Sequence, residues 1–248
     1  MKAAPRGGAA SSTILFICRP VGRPLAFSEK KMNIVILAAG MGKRMHSRLP
    51  KVLQPIAGRP MIDHVLDAAE GLSASPRVVV VGHGAESVME HLADRSDVTF
   101  ALQSPQLGTG HALRQALGQL DRNEPKTLVC LGDVPLLSKE TLAAIASEAD
   151  KSDLVLLTVE LDNPTGYGRI LRNNEGFVRA IVEEKDASPE ERLVREVNTG
   201  IMCLPTSRLD GWLSSLKAAN AQGEYYLTDV IGLAADEDFF RAVAAVRM

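Results

Sequence analysis

The chain has 248 residues, 46% of them hydrophobic, which is enough to bury one large core or two small ones. A formal net charge of −2, with 28 Lys and Arg against 30 Asp and Glu, gives no general field for polyanions. It argues against nucleic acid as a partner and makes any basic cluster a local site. Three widely spaced cysteines, Cys18, Cys130 and Cys203, fit neither a disulfide framework nor a zinc site and point to a reducing cytoplasm.

Residues 1–31 are rich in Arg, Ala, Gly and Ser, and the first acidic residue is Glu29. The apolar run Ile14 to Cys18 is too short for a signal peptide or a membrane span, so no membrane association is expected. A transit peptide and a plain upstream extension both fit this composition. The extension reading puts the domain start at Met32 and expects residues 1–31 to be disordered or loosely attached, with the domain proper over residues 32–248.

The apolar run Ile34 to Leu37 ends in Leu37-Ala38-Ala39-Gly40-Met41-Gly42-Lys43-Arg44-Met45, and Leu49-Pro50-Lys51-Val52-Leu53 follows. The dinucleotide fingerprint needs a third glycine where Met45 stands, and the P-loop needs Ser or Thr where Arg44 stands. Both fail. Main-chain amides at Gly40 and Gly42 can still approach phosphate oxygens closely, and Arg44 and Lys51 add fixed positive charge beside them. This is the layout of a nucleoside triphosphate site; the glycines taken alone are also an ordinary strand-to-helix turn.

Apolar runs at Ile34 to Ala39, Val78 to Val81, Val98 to Leu102 and Thr127 to Leu131 read as strands buried on both faces. Between them, Met61, Ile62, Val65, Leu66 and Ala69, then Val88, Met89 and Leu92, then Ala112, Leu113, Ala116, Leu117 and Leu120 form helical stripes. The alternation predicts an α/β fold with a mostly parallel, doubly wound sheet and ligands at the carboxyl ends of its strands. After about residue 150 the strands show polar alternation, at Leu154 to Leu161, Arg169 to Arg172, Phe177 to Glu183 and Glu196 to Leu204, which predicts a smaller mixed or antiparallel extension for the second substrate. A short helix is expected with Ser188 as N-cap and Pro189 at its first position, and another over Leu209, Trp212, Leu213 and Leu216.

Further clusters carry chemistry. Leu131-Gly132-Asp133-Val134-Pro135-Leu136 places one carboxylate directly after a buried strand, where Asp133 can ligate Mg²⁺ or serve at a helix N-terminus before Ser138-Lys139-Glu140. In Gln103-Ser104-Pro105-Gln106-Leu107-Gly108-Thr109-Gly110-His111-Ala112, the Gln103 amide can match the edge of a pyrimidine and Gly108 admits the base. The same loop reads as a helix entry capped by Thr109. His111 has no Ser or Cys partner and is read as solvated or structural. Gly168, Glu183 and Asn198 offer backbone, carboxylate and amide groups to sugar hydroxyls, although each also sits in turn chemistry. Glu184-Lys185 and Asp236-Glu237-Asp238 read as solvated charge runs.

Taken in order, the motifs Leu37-Ala38-Ala39-Gly40, Leu49 to Leu53, Gln106 to Ala112, Gly132 to Leu136, Pro164-Thr165-Gly166-Tyr167-Gly168-Arg169-Ile170, Glu196 to Gly200 and Gln222-Gly223-Glu224-Tyr225-Tyr226 resemble the N-terminal pyrophosphorylase domain of bacterial N-acetylglucosamine-1-phosphate uridylyltransferases, over about residues 33–246. The resemblance implies a Rossmann-like nucleotidyltransferase fold and cytoplasmic transfer of UMP from UTP to N-acetylglucosamine 1-phosphate. It implies that Leu37, Ala38, Ala39, Gly40, Arg44 and Lys51 hold the triphosphate, Arg44 and Lys51 being catalytic, and that Gln103, Gly108 and Thr109 hold uracil. Leu131, Gly132 and Asp133 are implied to line the substrates, with Mg²⁺ on Asp133, while Gly168, Glu183, Asn198, Glu224, Tyr226 and Thr228 grip the amino sugar. Lys43 stands where the family usually has Thr, and Leu131 where it often has an aromatic. The family's second metal ligand, an Asn, is expected beyond Met248, as is the trimerising acetyltransferase domain, so a monomer is expected. Two alternatives stand beside the uridylyltransferase: a nucleotidyltransferase for another base or sugar phosphate, and an impaired sugar-nucleotide-binding module.

Overall fold

The computed structural model describes residues 31–42, 45, 47, 49–72 and 76–237, with the backbone of 243–247. Arg44, Lys43, Cys18 and the leader reading lie outside the described residues, apart from Lys31. Met32 is buried, at 4% exposure.

The first half alternates strands and helices as its periodicity demands. Strand β1 (Asn33–Leu37) leads through a loop to a small ribbon, β2 (Pro55–Ile56) and β3 (Arg59–Pro60). Helix α1 (Met61–Ala68) follows, then β4 (Arg77–Val81), α2 (Ala85–His91), β5 (Val98–Leu102), α3 (Thr109–Ala116), β6 (Lys126–Leu131) and α4 (Lys139–Ala149). Ser138 caps α4, its hydroxyl accepting the Thr141 N–H at 3.1 Å. The second half contributes β7 (Leu154–Glu160), β8 (Arg169–Arg172), β9 (Val178–Val182), β10 (Glu196–Pro205), α5 (Leu209–Ser215), α6 (Asp229–Asp236) and β11 (Val243–Arg247).

One sheet unites them in the order β11-β7-β10-β6-β1-β4-β5, with β8 and β9 branching from β10. β1 runs parallel to β4 and β6, and β4 to β5; β10 is antiparallel to both β6 and β7. The sheet is wound on both faces. Ile34 and Ile36 face α1 and α4 through Ile62, Leu66, Leu142 and Ile145, while Val35 faces α3, α5 and α6 through Leu113, Leu213 and Val230. Each of these branched side chains, fully buried, contributes about 1.5–3 kcal/mol.

The second half forms the expected mixed, largely antiparallel extension, and builds it onto the main sheet. β7 and β10 belong to the main sheet, because Leu154 to Leu157 and Ile201 to Leu204 are buried on both faces; the β8–β9 hairpin branches from it at β10. At Ser188 the expected helix shrinks to one 3-10 turn, Glu191–Leu193. The cap forms reciprocally, with the Glu191 N–H on Ser188 Oγ (3.2 Å) and the Ser188 N–H on Glu191 Oε2 (2.8 Å), but Leu193 is 79% exposed and no apolar stripe carries the helix on. Met89 likewise points outward from its predicted stripe, at 41% exposure.

Candidate active site

The strand order reverses between β1 and β6, and ligands of open α/β sheets bind in the crevice at the carboxyl ends of such a switch. Leu37 and Leu131 are in register there, and the Gly132 N–H donates to Leu37 O at 3.0 Å. The Ala38 N–H is committed to Val80 O at 2.9 Å, so amides offered to an anion start after Ala38 rather than at Leu37. Gly40 is exposed, with no atom within 4 Å of the place a Cβ would take. Lys51 begins a 3-10 turn anchored by buried Val52 and Leu53, and its Nζ is ion-paired with Asp133 Oδ2. The side chains are 32% and 26% exposed, so both ends of the pair reach the crevice.

Asp133 therefore does not cap α4, the role that Ser138 takes. Among the described residues no three His, Cys, Asp or Glu stand together as a metal site. One partly exposed carboxylate beside an anion cradle does suit Mg²⁺, which takes one or two protein carboxylates and completes its shell with phosphate oxygens and water.

A second cluster lies at the carboxyl end of β5. Gln103 is 3% exposed, and its amide nitrogen donates to Gly108 O at 2.9 Å and lies 3.2 Å from His111 Nδ1. Gly108 has φ +105°, and a Cβ there would fall 2.6 Å from Tyr225 O. Thus the chain itself requires this glycine, independent of any base. The loop is sewn to residues 225–227: Tyr225 N–H to Leu107 O and Gly110 N–H to Tyr225 O, both 2.8 Å, and Leu227 N–H to Thr109 Oγ1 at 3.0 Å. The Thr109 hydroxyl bridges segments instead of capping α3. Burial, and then the charge of Arg114, lower the His111 pKa and keep the ring neutral.

The third cluster brings Gly168, Glu183, Asn198 and Thr228 together. The Asn198 N–H donates to Gly168 O at 2.8 Å, a Cβ on Gly168 would lie 3.3 Å from Glu183 Oε1, and the Thr228 hydroxyl donates to Glu183 Oε1 at 3.0 Å. A bulge in β10 after Asn198 puts Gly200 at φ +82°, where a Cβ would meet Leu131 Cδ1 at 2.5 Å. That packing couples the Asn198 turn to the Leu131-Gly132-Asp133 loop. Tyr226 is buried, its hydroxyl accepting from Gln222 Nε2 at 2.8 Å, and the Glu224 backbone is clamped by Asn220 through its N–H (3.2 Å) and carbonyl (2.6 Å). A cavity of about 330 Å³ opens here, lined by Glu183, Asp186, Asn220, Tyr226 and Asp229 among others. Burial raises the Glu183 pKa, with Asp229 and Asp186 adding to the rise against the Thr228 hydrogen bond.

Sequence reasoning missed Asn220 and the link from His111 to Gln103; the Asn220-x-x-Gly223 turn was the available signal for the first, and nothing local marked the second. Two predicted charge runs are partnered. Glu184 pairs with Arg169, which is 1% exposed, at 2.6 Å and accepts the Gly166 N–H at 3.2 Å, while Glu237 binds Arg208 and Trp212 Nε1. Cys130 and Cys203 are free and buried, their thiols pushed up to about 12 by burial, and are inert as nucleophiles at neutral pH.

The model of the MobA-like NTP transferase domain matches residues 34–197, a stretch holding the Gly40 turn, Lys51, Gln103 and Asp133. The chain belongs to that family. As a MobA-like NTP transferase it is 61% identical over 207 residues to the "Bifunctional protein GlmU" of Azoarcus sp. (strain BH72), covering 84% of this chain and 45% of the relative. The namesake from Cupriavidus pinatubonensis is 60% identical over 83% of this chain and 45% of its own length, and that from Burkholderia orbicola (strain MC0-3) 59% over 84% and 46%. The chain thus spans less than half the length of these relatives, matching their N-terminal part. In fold it matches a Bacillus anthracis crystal structure described as a glucose-1-phosphate thymidylyltransferase, with TM-score 0.71 at 20% identity, covering 88% of this chain and 87% of that one. Among the described residues no helix is long and apolar enough to cross a membrane.

Proposed function

We propose that this site transfers UMP from UTP to N-acetyl-α-D-glucosamine 1-phosphate, giving UDP-N-acetylglucosamine and pyrophosphate in the cytoplasm. The observation that carries the reading is the meeting of Lys51 and Asp133 at the β1–β6 switch point, beside the open Gly40 turn and coupled through Leu131 to the Asn198 cluster. The relatives' identity supports the choice of reaction.

In this reading the sugar phosphate oxygen attacks the α-phosphorus of UTP. The new P–O bond forms as the bond to the β-phosphate oxygen breaks, and pyrophosphate leaves. The nucleophile is an anion near pH 7 and needs no general base, in keeping with a site built of positioning and charge rather than a Ser, Cys or His nucleophile. Lys51, with Arg44 as the proposed second cation, offsets repulsion between the phosphates and stabilises the departing pyrophosphate. Asp133 would hold Mg²⁺, which supplies further neutralisation of phosphate charge. Ala39, Gly40 and Gly132 are proposed to line the phosphates, with Leu37, Ala38 and Leu131 shaping the crevice. Gln103, Gly108 and Thr109 hold the uracil, and Gly168, Glu183, Asn198, Glu224, Tyr226 and Thr228 hold the amino sugar. The chain is expected to work as a monomer with these two small-molecule substrates.

Pyrophosphate release with UTP, Mg²⁺ and N-acetylglucosamine 1-phosphate tests this, with CTP and glucose 1-phosphate as competitors. An unmatched buried polar edge costs about 1–3 kcal/mol, so UTP is expected to exceed CTP in kcat/KM by about 5- to 150-fold. Equal turnover with CTP or glucose 1-phosphate would move the assignment to another nucleotidyltransferase, and binding without turnover at any Mg²⁺ concentration to a binding module.

A further inference from the structure

The Gln103 amide is the group proposed above to read the base, and what it can say to a base depends on which of its atoms are already occupied. Its nitrogen lies 2.9 Å from Gly108 O and 3.2 Å from His111 Nδ1. A backbone carbonyl can only accept, so the Gly108 contact fixes the amide orientation: the atom facing it is the NH₂ group. The same NH₂ faces His111 Nδ1, so Nδ1 must be the lone-pair nitrogen. A neutral imidazole carries one proton, which is therefore on Nε2. The Gln115 amide nitrogen lies 3.1 Å from Nε2 and 3.3 Å from the His111 backbone carbonyl oxygen. Burial disfavours the charged ring, and Arg114 adds to this from the same helix while its guanidinium lies 5.3 Å over the Tyr225 ring beside it.

We infer that His111 is a positioning residue for base selection: by accepting one Gln103 N–H while Gly108 O accepts the other, it leaves Gln103 only its carbonyl oxygen to present to a nucleobase. An acceptor at that place takes the N3–H of a uracil-type ring and meets the lone pair of cytosine N3 with a like partner. Selectivity between the two pyrimidines therefore rests in part on a residue that touches neither. Without the ring acceptor, only Gly108 O would hold the amide, so a half-turn that offers NH₂ to cytosine would cost one hydrogen bond instead of two. The inference rests on the proposed uracil reading by Gln103.

The test is the UTP:CTP ratio of kcat/KM, measured on the full chain for wild type, His111→Leu, His111→Asn and Gln103→Ala, with thermal melting of each. Asn keeps an oxygen acceptor near the position of Nδ1; Leu keeps bulk alone. His111→Leu is expected to lower the ratio about tenfold, the worth of one lost hydrogen bond of about 1.4 kcal/mol, chiefly by improving CTP, with KM for the sugar phosphate unchanged. His111→Asn is expected to restore the ratio. If His111→Leu does not fold, His111→Gln replaces it, since its amide extends toward the Nε2 position. A ratio lost in Gln103→Ala and intact without the His111 acceptor overturns this inference and leaves the uracil reading standing. A ratio intact in Gln103→Ala overturns the uracil reading itself. Equal loss of UTP and CTP turnover in His111→Leu and His111→Asn assigns His111 a structural role only.

Discussion

Lys51 Nζ and Asp133 Oδ2 form an ion pair across 82 residues of sequence, and so join the proposed phosphate cation to the proposed metal ligand. In the proposed reaction each gives up part of its hold on the other, because the triphosphate would compete for the ammonium and the cation for the carboxylate. The pair keeps both groups at the mouth of the crevice and neutral overall.

Lys51→Ala is expected to lower kcat about 100- to 1,000-fold, the loss typical of removing one preorganised donor from a developing negative charge. Stability should change by less than about 1 kcal/mol, since partly exposed ion pairs contribute little. Steady-state rates and melting on one preparation check both; an unchanged rate removes Lys51 from the mechanism.

Glu183 gives a pH dependence with a definite sign. Its folded pKa is raised above the ordinary 4.5, first by burial and then by Asp229 and Asp186. Above 4.5 the unfolded chain loses this proton while native Glu183 still holds it, so stability falls as pH rises from 4.5 through the folded value. Glu183→Gln should flatten that slope and melt higher at pH 7 than wild type, while the KM for sugar phosphate rises. A lower melting temperature for Gln at pH 7 contradicts the assignment.

Buried Glu196 receives two Arg172 hydrogen bonds, at 2.9 and 2.7 Å, and one from Thr158 at 2.9 Å. Glu196→Ala strips Arg172 of its partner beneath the Asn198 turn. The expected cost is about 3 kcal/mol, the low end for a broken buried pair because the arginine remains 25% exposed. Urea unfolding at constant slope measures it.

Gly200→Ala forces an L-residue into positive φ and drives its Cβ against Leu131. About 1–3 kcal/mol is expected from the backbone alone. Adding Leu131→Ala relieves the collision and leaves the backbone strain, so the double variant should be more stable than the two single losses sum to. Strict additivity would show that the two residues do not press on each other.

The sequence by itself determined the winding and the location of the nucleotide end. Runs such as Ile34 to Leu37 and Val78 to Val81 can be buried only between two helical layers, and the helical stripes between them supply those layers. The glycine turn after β1 and the carboxylate after β6 then fall at one edge, since parallel strands end on the same side. The cap at Ser188 was legible as well, and the structure completes it with the Glu191 carboxylate. Whether the cap opens a helix was not, because that depends on apolar contacts the exposed Leu193 does not find. Strand partners also escaped the sequence. Polar alternation marks one solvated face and does not say which neighbour a strand takes, so the expected antiparallel extension was legible while the junction of β10 with β6 was not. The links that define the site were decided by tertiary structure alone: Lys51 with Asp133, Thr228 with Glu183, Thr109 with the Leu227 amide and His111 with Gln103. Each joins side chains or amides by a hydrogen bond about 3 Å long or shorter, and sequence spacing constrains such distances only within one helix turn or strand pair. The sequence marked the Gln103 amide as an expected base reader. Which of its atoms are already engaged was decided only when the fold set Gly108 and His111 against it.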